Sequence, residues 1–497
     1  MNIFLIIKVK MMNSESGIDL FFRKNTTIFY SFIASFVSCL IVYGYELTHF
    51  TVSIDEDTSD NFIHMIDLGR WSHAFLKQYI FPEPWSPFSS MFIALLGICA
   101  ATATCCYALG FDKKNSLYFS ILFIALPQLA YQLQFSNQDE TFGLAALLAA
   151  ISGALALKKR AIFFVAFIII NVIVLSIYQS LIFFSATLIT IKLLIDACNN
   201  NCSFKNWLHL SLKTAFCLCV SVVIYLFLTS KIKLHYGVSS ASYFSGLITW
   251  STLGFIGGIK NAFSFIYDRS GPYPLYGLAT YTFTYVAAVI IILVNVFKRN
   301  ANLLLIVFLL TISLLMPFIL NVAIGGGTPG RTLSQLPLVF SSLIVVCFSY
   351  IKSNVMKGFI SLCLLLTACT TASQLFYSDY ISDKQNEMLA RRIMHDIYTT
   401  HPEFNNEKNK VSFIGKLNNQ NPWKKFNSDD FGVSFFERGD AARMINYINM
   451  SGISNINAIH INPLENKYKN QLSSMQSWPN PESIKMLDNN LIIKLSD

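Results

Sequence analysis

Thr26–Leu47 reads TTIFYSFIASFVSCLIVYGYEL, and shortly after it comes Val52-Ser-Ile-Asp-Glu-Asp-Thr-Ser-Asp60. The first stretch has the length of apolar chain, about 20 residues, that crosses a hydrocarbon core as one helix. The second gathers Asp55, Glu56, Asp57 and Asp60, in a chain with only 28 acidic residues. A span that delivers a knot of carboxylates to a membrane surface decides the fold class and marks the first place to look for chemistry.

The rest of the chain repeats the apolar pattern. Hydrophobic residues make up 54% of 497, charged residues 13%, and Phe occurs 43 times, far from a soluble globular average. Runs long enough to span are Thr26–Leu47, Phe88–Leu109, Leu117–Gln134, Phe142–Leu157, Ala161–Tyr178, Leu181–Ala197, Ala215–Ser230, Leu275–Phe297, Leu303–Ile324, Leu333–Tyr350 and Gly358–Phe376. The chain is therefore expected to be a polytopic α-helical membrane protein of about 11 transmembrane helices. Met1–Gly17 holds only the short apolar run Ile3–Ile7, broken by Lys8 and Lys10, with no small-residue cleavage site. It does not read as a removable signal peptide, so targeting falls to the first span.

Basic residues set the orientation. Lys8, Lys10, Arg23 and Lys24 precede the first span, and every second connection is basic: Lys113-Lys114, Lys158-Lys159-Arg160, Lys205 with Lys213, Lys298-Arg299, and Lys352 with Lys357. These face the cytoplasm, as does the N-terminus 1–25. The outer side receives the loop 48–87 with the acidic knot, Ser136–Glu140, Tyr178-Gln179, the loop 231–274, Gly325–Arg331 and the tail 377–497.

The tail is a different material, with 14 Lys plus Arg against 14 Asp plus Glu and no spanning run. Ser378–Thr400 has a partial helical stripe and Val411–Leu417 alternates as a strand. Gly439–Asn449 is a helix with Asp440 as its cap, and Ser483–Leu495 is two short strands around Asp488-Asn489-Asn490. A small α+β domain is expected. All 11 Cys precede Ala372, so no disulfide scaffold is implied, and Cys198-x3-Cys202 lacks the further ligands of a metal site.

After the acidic knot, Asn61–Ile80 has the period of a helix lying in the interface, with Phe62, Met65, Ile66, Leu76 and Ile80 on one side and Arg70 and Lys77 on its flank. Phe81-Pro-Glu-Pro-Trp-Ser-Pro87 cannot continue it. Crowded carboxylates beside such a helix are either solvated surface or a site where a lipid phosphate meets a polar co-substrate; neighbouring acids raise one another's proton affinity, which suits a general base. Asn137-Gln138-Asp139-Glu140 reads first as a capped turn before the fourth span. Arg331, in Gly325-Gly-Gly-Thr-Pro-Gly-Arg331, offers either a fixed cation for a phosphate or an interfacial anchor. Asp268-Arg269 is a weaker candidate of the same kind. The middles of the spans are almost free of ionisable residues, which disfavours an ion-coupled transporter, and no Walker motif, HExxH or G-x-S-x-G occurs.

Ser53-Ile54-Asp55-Glu56-Asp57, Leu68-Gly69-Arg70-Trp71, Tyr178-Gln179 and the closing Trp478-Pro479…Ile484…Asp488…Ile492-Ile493-Lys494-Leu495-Ser496 together resemble the Gtr-type, serotype-converting O-antigen glucosyltransferases of Gram-negative bacteria. The family's acidic motif is a pair of Asp followed by Glu, whereas this chain has Glu56 second and Asp57 next. The resemblance implies a GT-C-like membrane glycosyltransferase of the inner membrane, its C-terminal domain periplasmic. Glucose would move from a polyprenyl-phosphate carrier to a sugar of the O-antigen repeat, with the lipid bilayer as third partner and no nucleic acid. On that reading Asp55, or Glu56 or Asp57 in its place, takes the acceptor proton in an inverting displacement. Arg70 and Arg331 hold the donor phosphate. Tyr178, Gln179, Asp139, Glu140 and Arg269 are candidates for substrate contact, and the tail covers or selects the acceptor without a catalytic group. No cofactor is expected; a divalent metal stays open. The rival readings are an O-antigen polymerase or ligase, and a non-enzymatic flippase of lipid-linked sugar.

Overall fold

The computed structural model describes residues 26–58, 60–158, 160–201, 204–238, 248–418, 420–459, 468 and 470–497. The expected cytoplasmic segment 1–25, with its four basic residues, and Lys159 and Cys202 lie outside the described residues.

The chain opens with α1 (Thr26–Tyr43), the short α2 (Phe62–Asp67) and α3 (Trp71–Tyr79), then α4 (Pro87–Leu109), α5 (Lys113–Ile124), α6 (Gln128–Gln132) and α7 (Asp139–Ala156). There follow α8 (Ala161–Ile177), α9 (Ile182–Cys198), α10 (Phe204–His235), α11 (Trp250–Ser270), α12 (Thr280–Phe297), α13 (Leu303–Leu315), α14 (Ile319–Ile324), α15 (Leu336–Phe348) and α16 (Asn354–Thr400). Among the described residues, eight helical segments are long and apolar enough to cross a membrane: α1, α4, α7, Gln179–Cys198, α10, α12, Leu303–Ile324 and α16.

Of the 11 expected spans, the remaining three are shorter. α8 and α15 are apolar helices of 17 and 13 residues, and α15 is buried along almost its whole length, so neighbouring helices rather than lipid satisfy its surface. The run expected over Leu117–Gln134 is broken. Ala125-Leu126-Pro127 ends α5 after 12 residues, because proline has no N–H to bond into the preceding turn and its ring crowds that turn.

Three other expectations change. The interfacial helix foreseen over Asn61–Ile80 is two helices, divided at Gly69. The described parts of the loop 231–274 are largely helical, holding the end of α10 and the kinked α11. The last expected span and the tail helix Ser378–Thr400 are one continuous helix of 47 residues, roughly 70 Å at 1.5 Å per residue, which carries the chain from the apolar bundle into the C-terminal part.

Two cores result. The larger runs through the bundle, from Cys39 and Tyr43 to Leu375 and Phe376. The second packs Ile393 and Ile397 of α16 against Val411, Phe413, Phe435, Met444, Ile448 and Leu491 of the tail, and it takes in Ile54 from the acidic stretch. Strands β1 (Lys410–Ile414), β2 (Asn457–Ala458), β3 (Ile484–Leu487) and β4 (Asn490–Lys494) form a sheet in the order β2-β1-β4-β3. β1 is parallel to β2 and β4, and β3–β4 is an antiparallel hairpin. Its two turn residues, Asp488 and Asn489, both take positive φ, the conformation that a two-residue hairpin turn requires and that Asp and Asn tolerate. Helices α17 (Phe435–Arg438) and α18 (Ala441–Met450) complete the domain. Asp440 caps α18 as expected, its carboxylate accepting from the N–H groups of Ala442 and Arg443.

One close approach sets the geometry of the site. At Gly97 of α4 a Cβ would lie 2.6 Å from the backbone of Gly143 in α7, so the helices cross with their backbones in contact. The start of α7, with the turn before it, is thereby seated beside the acidic stretch.

Candidate active site

The acidic stretch is held by the turn that precedes α7. Glu56 is fully buried, and its carboxylate accepts from the N–H of Ser53 at 2.8 Å and of Asn137 at 3.1 Å. Asn137 also donates its side chain to the Asp55 carbonyl at 3.1 Å, and Ser53 Oγ donates to the Gln134 carbonyl at 3.1 Å. Burial pushes the Glu56 carboxyl up to about 8, against the lowering pull of the two N–H donors. Glu56 thus ties the loop to the bundle, Ile54 plugs the tail core, and Asp55 between them faces open space. Ile54 and Asp55 are the central residues of a turn closed by the Glu56 N–H on the Ser53 carbonyl at 2.9 Å, so the side chains of Ile54, Asp55 and Glu56 leave it in different directions.

Asp55 has a side chain 32% exposed. Its Oδ2 accepts from Arg331 Nη2 at 3.2 Å and its Oδ1 from Arg443 Nη1 at 3.2 Å. Arg331 also donates to Asp430 Oδ2 at 3.0 Å and stands over the Phe135 ring at 4.5 Å. Arg443 donates as well to the Ile54 carbonyl and lies 3.8 Å from Asp57. Asp57 accepts from Asn446 Nδ2 at 3.1 Å, and its carboxyl is raised above the ordinary range, burial being the largest cause.

Arg70 is delivered by the break at Gly69. There Gly69 N–H bonds the Ile66 carbonyl and Arg70 N–H the Met65 carbonyl, the paired bonds of a helix ending in a left-handed residue. Gly69 has φ +73, and a Cβ on it would meet Tyr225 Oη at 2.6 Å, so glycine is needed on both counts. Arg70 Nε donates to Gln179 Oε1 at 3.1 Å, Nη1 donates to Gln138 Oε1 at 2.9 Å, and the guanidinium faces the Tyr178 ring at 4.8 Å. Gln179 in turn donates to the Leu68 carbonyl at 2.9 Å. Leu68–Trp71 and Tyr178-Gln179, distant in sequence, are one structural unit.

These side chains surround a cavity of about 450 Å³, lined among others by Asp55, Asp57, Asp60, His64, Arg70, Gln138, Arg331 and Arg443. A second space of about 170 Å³ is lined by Tyr178, Gln179, Leu320, Ile324, Thr328 and Pro329, and again by Arg70 and Arg331. The two arginines stand where a polar chamber meets a more apolar one.

A family model for Glucosyl transferase GtrII matches residues 44–348, more than half of the chain. The chain belongs to the GtrII glucosyl transferase family. No curated protein and no solved structure matches it. The family region of this glucosyl transferase holds Asp55, Glu56, Asp57, Arg70, Tyr178, Gln179 and Arg331; six of them line the two chambers, and Glu56 is buried behind Asp55.

The remaining sequence candidates sit apart from the two chambers. Glu140 is paired with Lys77 at 2.8 Å, both side chains almost wholly buried, at 4% and 5% exposure. Lys77 was expected on the flank of an interfacial helix; its side chain is almost wholly buried instead, on the wall of a separate cavity of about 200 Å³ lined also by Asn61, His73 and Glu83. Asp139 is fully buried with no hydrogen-bond partner to either carboxylate oxygen. Arg269 pairs with Asp429 at 3.7 Å. Among the described residues no group of three His, Cys, Asp or Glu is placed to hold a metal ion.

The tail was expected to cover or select the acceptor without a catalytic group. Its Asp430 hydrogen-bonds Arg331, its Arg443 bonds Asp55 and its Asn446 bonds Asp57. Sequence reasoning found α18 through the Asp440 cap, and the one further signal was the i, i+3 spacing of Arg443 and Asn446, which puts both on one face.

Proposed function

We propose that this glucosyl transferase is a GT-C-like enzyme of the bacterial inner membrane that moves glucose from polyprenyl-phosphate-glucose to a sugar of the lipopolysaccharide O-antigen, on the periplasmic side. The observation that carries the reading is the shared position of Arg70 and Arg331 between the two chambers, with Asp55 on the polar side. The alternation of basic connections with those bearing the site supports the orientation. The Tyr178 side, walled by Leu320 and Ile324, suits a lipid phosphate and its sugar; the Asp55 side suits a glycan hydroxyl.

In the reaction, the acceptor oxygen attacks the anomeric carbon and gives its proton to an Asp55 oxygen. The bond from that carbon to the phosphate oxygen breaks, with inversion, and polyprenyl phosphate leaves with the electron pair. A placed base contributes roughly 10²–10⁴-fold. Arg331 and Arg70 hold the phosphate and offset the charge it gains through charge-assisted contacts. Arriving phosphate competes with Asp55 for Arg331, so donor binding frees a carboxylate oxygen for the acceptor. Glu56 positions Asp55 through the backbone rather than taking a proton itself.

The test is transfer of labelled glucose from polyprenyl-phosphate-glucose to O-antigen glycan by the purified full-length chain. A donor KM raised at least tenfold in Arg70→Ala and Arg331→Ala supports the reading. Movement of lipid-linked sugar across vesicles without transfer would overturn it in favour of a flippase.

A further inference from the structure

The family match ends at residue 348, yet the acidic stretch is gripped from beyond it. Arg443 and Asn446 lie on the same face of α18. Arg443 bonds Asp55 Oδ1 at 3.2 Å and the Ile54 carbonyl, and Asn446 bonds Asp57 Oδ2 at 3.1 Å. α18 is fixed behind them, since Met444, Ile445, Tyr447 and Ile448 are buried in the tail and Tyr447 Oη donates to the Asp383 carboxylate of α16 at 2.9 Å. The helix that carries the two side chains is thus anchored by its opposite face.

We propose that Arg443 and Asn446 are positioning residues for glucosyl transfer: α18 clamps the Ile54–Asp57 stretch so that Asp55 points into the chamber, and the tail is part of the catalytic centre. This rests on Asp55 being the base. Arg443 neutralises one side of Asp55 while Arg331 occupies the other, so the carboxylate stays aimed when donor phosphate draws Arg331 away. Without Arg443 the carboxylate would lose its fixed direction and the positive charge that lowers its neighbour Asp57.

The experiment uses the full-length chain in nanodiscs with polyprenyl-phosphate-glucose and O-antigen glycan, comparing Arg443→Gln, Arg443→Lys, Asn446→Ala and the distant control Arg391→Gln, whose partner is the exposed Glu387. Arg443→Gln is expected to lower kcat about 100-fold with donor KM changed less than threefold. Arg443→Lys is expected to restore part of the rate, and Asn446→Ala to lower kcat about tenfold. An unchanged kcat in Arg443→Gln overturns the proposal, and if that variant does not fold, Asn446→Ala at the wild-type rate does so.

A wild-type chain that transfers nothing from this donor would sink the functional reading alone. The clamp is then judged by amide hydrogen exchange at Ile54–Asp57. Exchange at least tenfold faster in Arg443→Gln than in Arg391→Gln supports it, and equal exchange refutes it.

Discussion

Lys77–Glu140 and Arg331–Asp55 are both ion pairs that join the stretch between the first two spans to the rest of the protein, and they are built for opposite ends. The first is dry: 2.8 Å long, with side chains 5% and 4% exposed. The second is longer at 3.2 Å, with side chains 19% and 32% exposed, and it is shared, since Arg331 also serves Asp430 and Asp55 also serves Arg443. A buried pair cannot exchange partners without exposing a charge to low dielectric, whereas a shared pair on a chamber wall can yield one member to an incoming phosphate. Charge beside an apolar bundle is therefore structural or chemical according to whether the chamber reaches it.

The contrast breaks first at the dry pair. Lys77→Ala leaves Glu140 buried without its partner and is expected to cost about 3–5 kcal/mol of stability. This would appear as a lower Tm and lower abundance, with near-normal transfer per folded molecule. Replacing both residues by apolar ones of similar volume, Lys77→Met with Glu140→Leu, is expected to recover most of the loss. If Lys77→Ala instead abolished transfer at unchanged Tm, the dry pair would belong to the chemistry.

Next comes the wet pair. Arg331→Ala is expected to raise donor KM roughly 10–100-fold, about 1.4–2.7 kcal/mol, with little change in Tm because partly exposed pairs contribute about 0–1 kcal/mol. A normal donor KM would remove Arg331 from the phosphate site.

The smallest effect concerns Glu56, next to Asp55 yet dry like Glu140. Its carboxyl lies near 8, above its ordinary 4.5, so the folded chain keeps a proton that the unfolded chain has released over this window. Stability is highest at the acid end, falls as pH rises, and levels off above pH 8, with about 1 kcal/mol lost between pH 7 and pH 8. Glu56→Gln cannot titrate, so its unfolding midpoint should fall less over that interval. An equally steep fall would show that another group carries the dependence.

Much of this was legible in the chain. Apolar runs located the spans, since a bilayer demands length and apolarity that chance seldom supplies. Asp440 marked α18 and Asp488-Asn489 the hairpin, because caps and tight turns are local chemistry. Pro127 was in plain view, but the run over Leu117–Gln134 is apolar on both sides of it, and average hydropathy hides a break.

The site was half legible. The acidic stretch, Leu68–Trp71, Tyr178-Gln179 and Arg331 could be singled out, but which way each carboxylate points could not. Asp55 and Glu56 differ by which of them leaves the Ser53–Glu56 turn toward Asn137, and that is decided by contacts about 80 residues away. Arg443 reaches Asp55 across 388 residues of chain, and such a contact leaves no pattern in either segment.

The central claim is that Asp55, facing the chamber, takes the acceptor proton while its buried neighbour Glu56 only holds the loop. The most direct measurement is the rate of glucose transfer from polyprenyl-phosphate-glucose to O-antigen glycan by purified Asp55→Asn, set beside Glu56→Gln and the wild type. The account predicts that Asp55→Asn loses about 10²–10⁴-fold in rate while still binding donor, and that Glu56→Gln stays within about tenfold of wild type. Asp55→Asn turning over at the wild-type rate would contradict it.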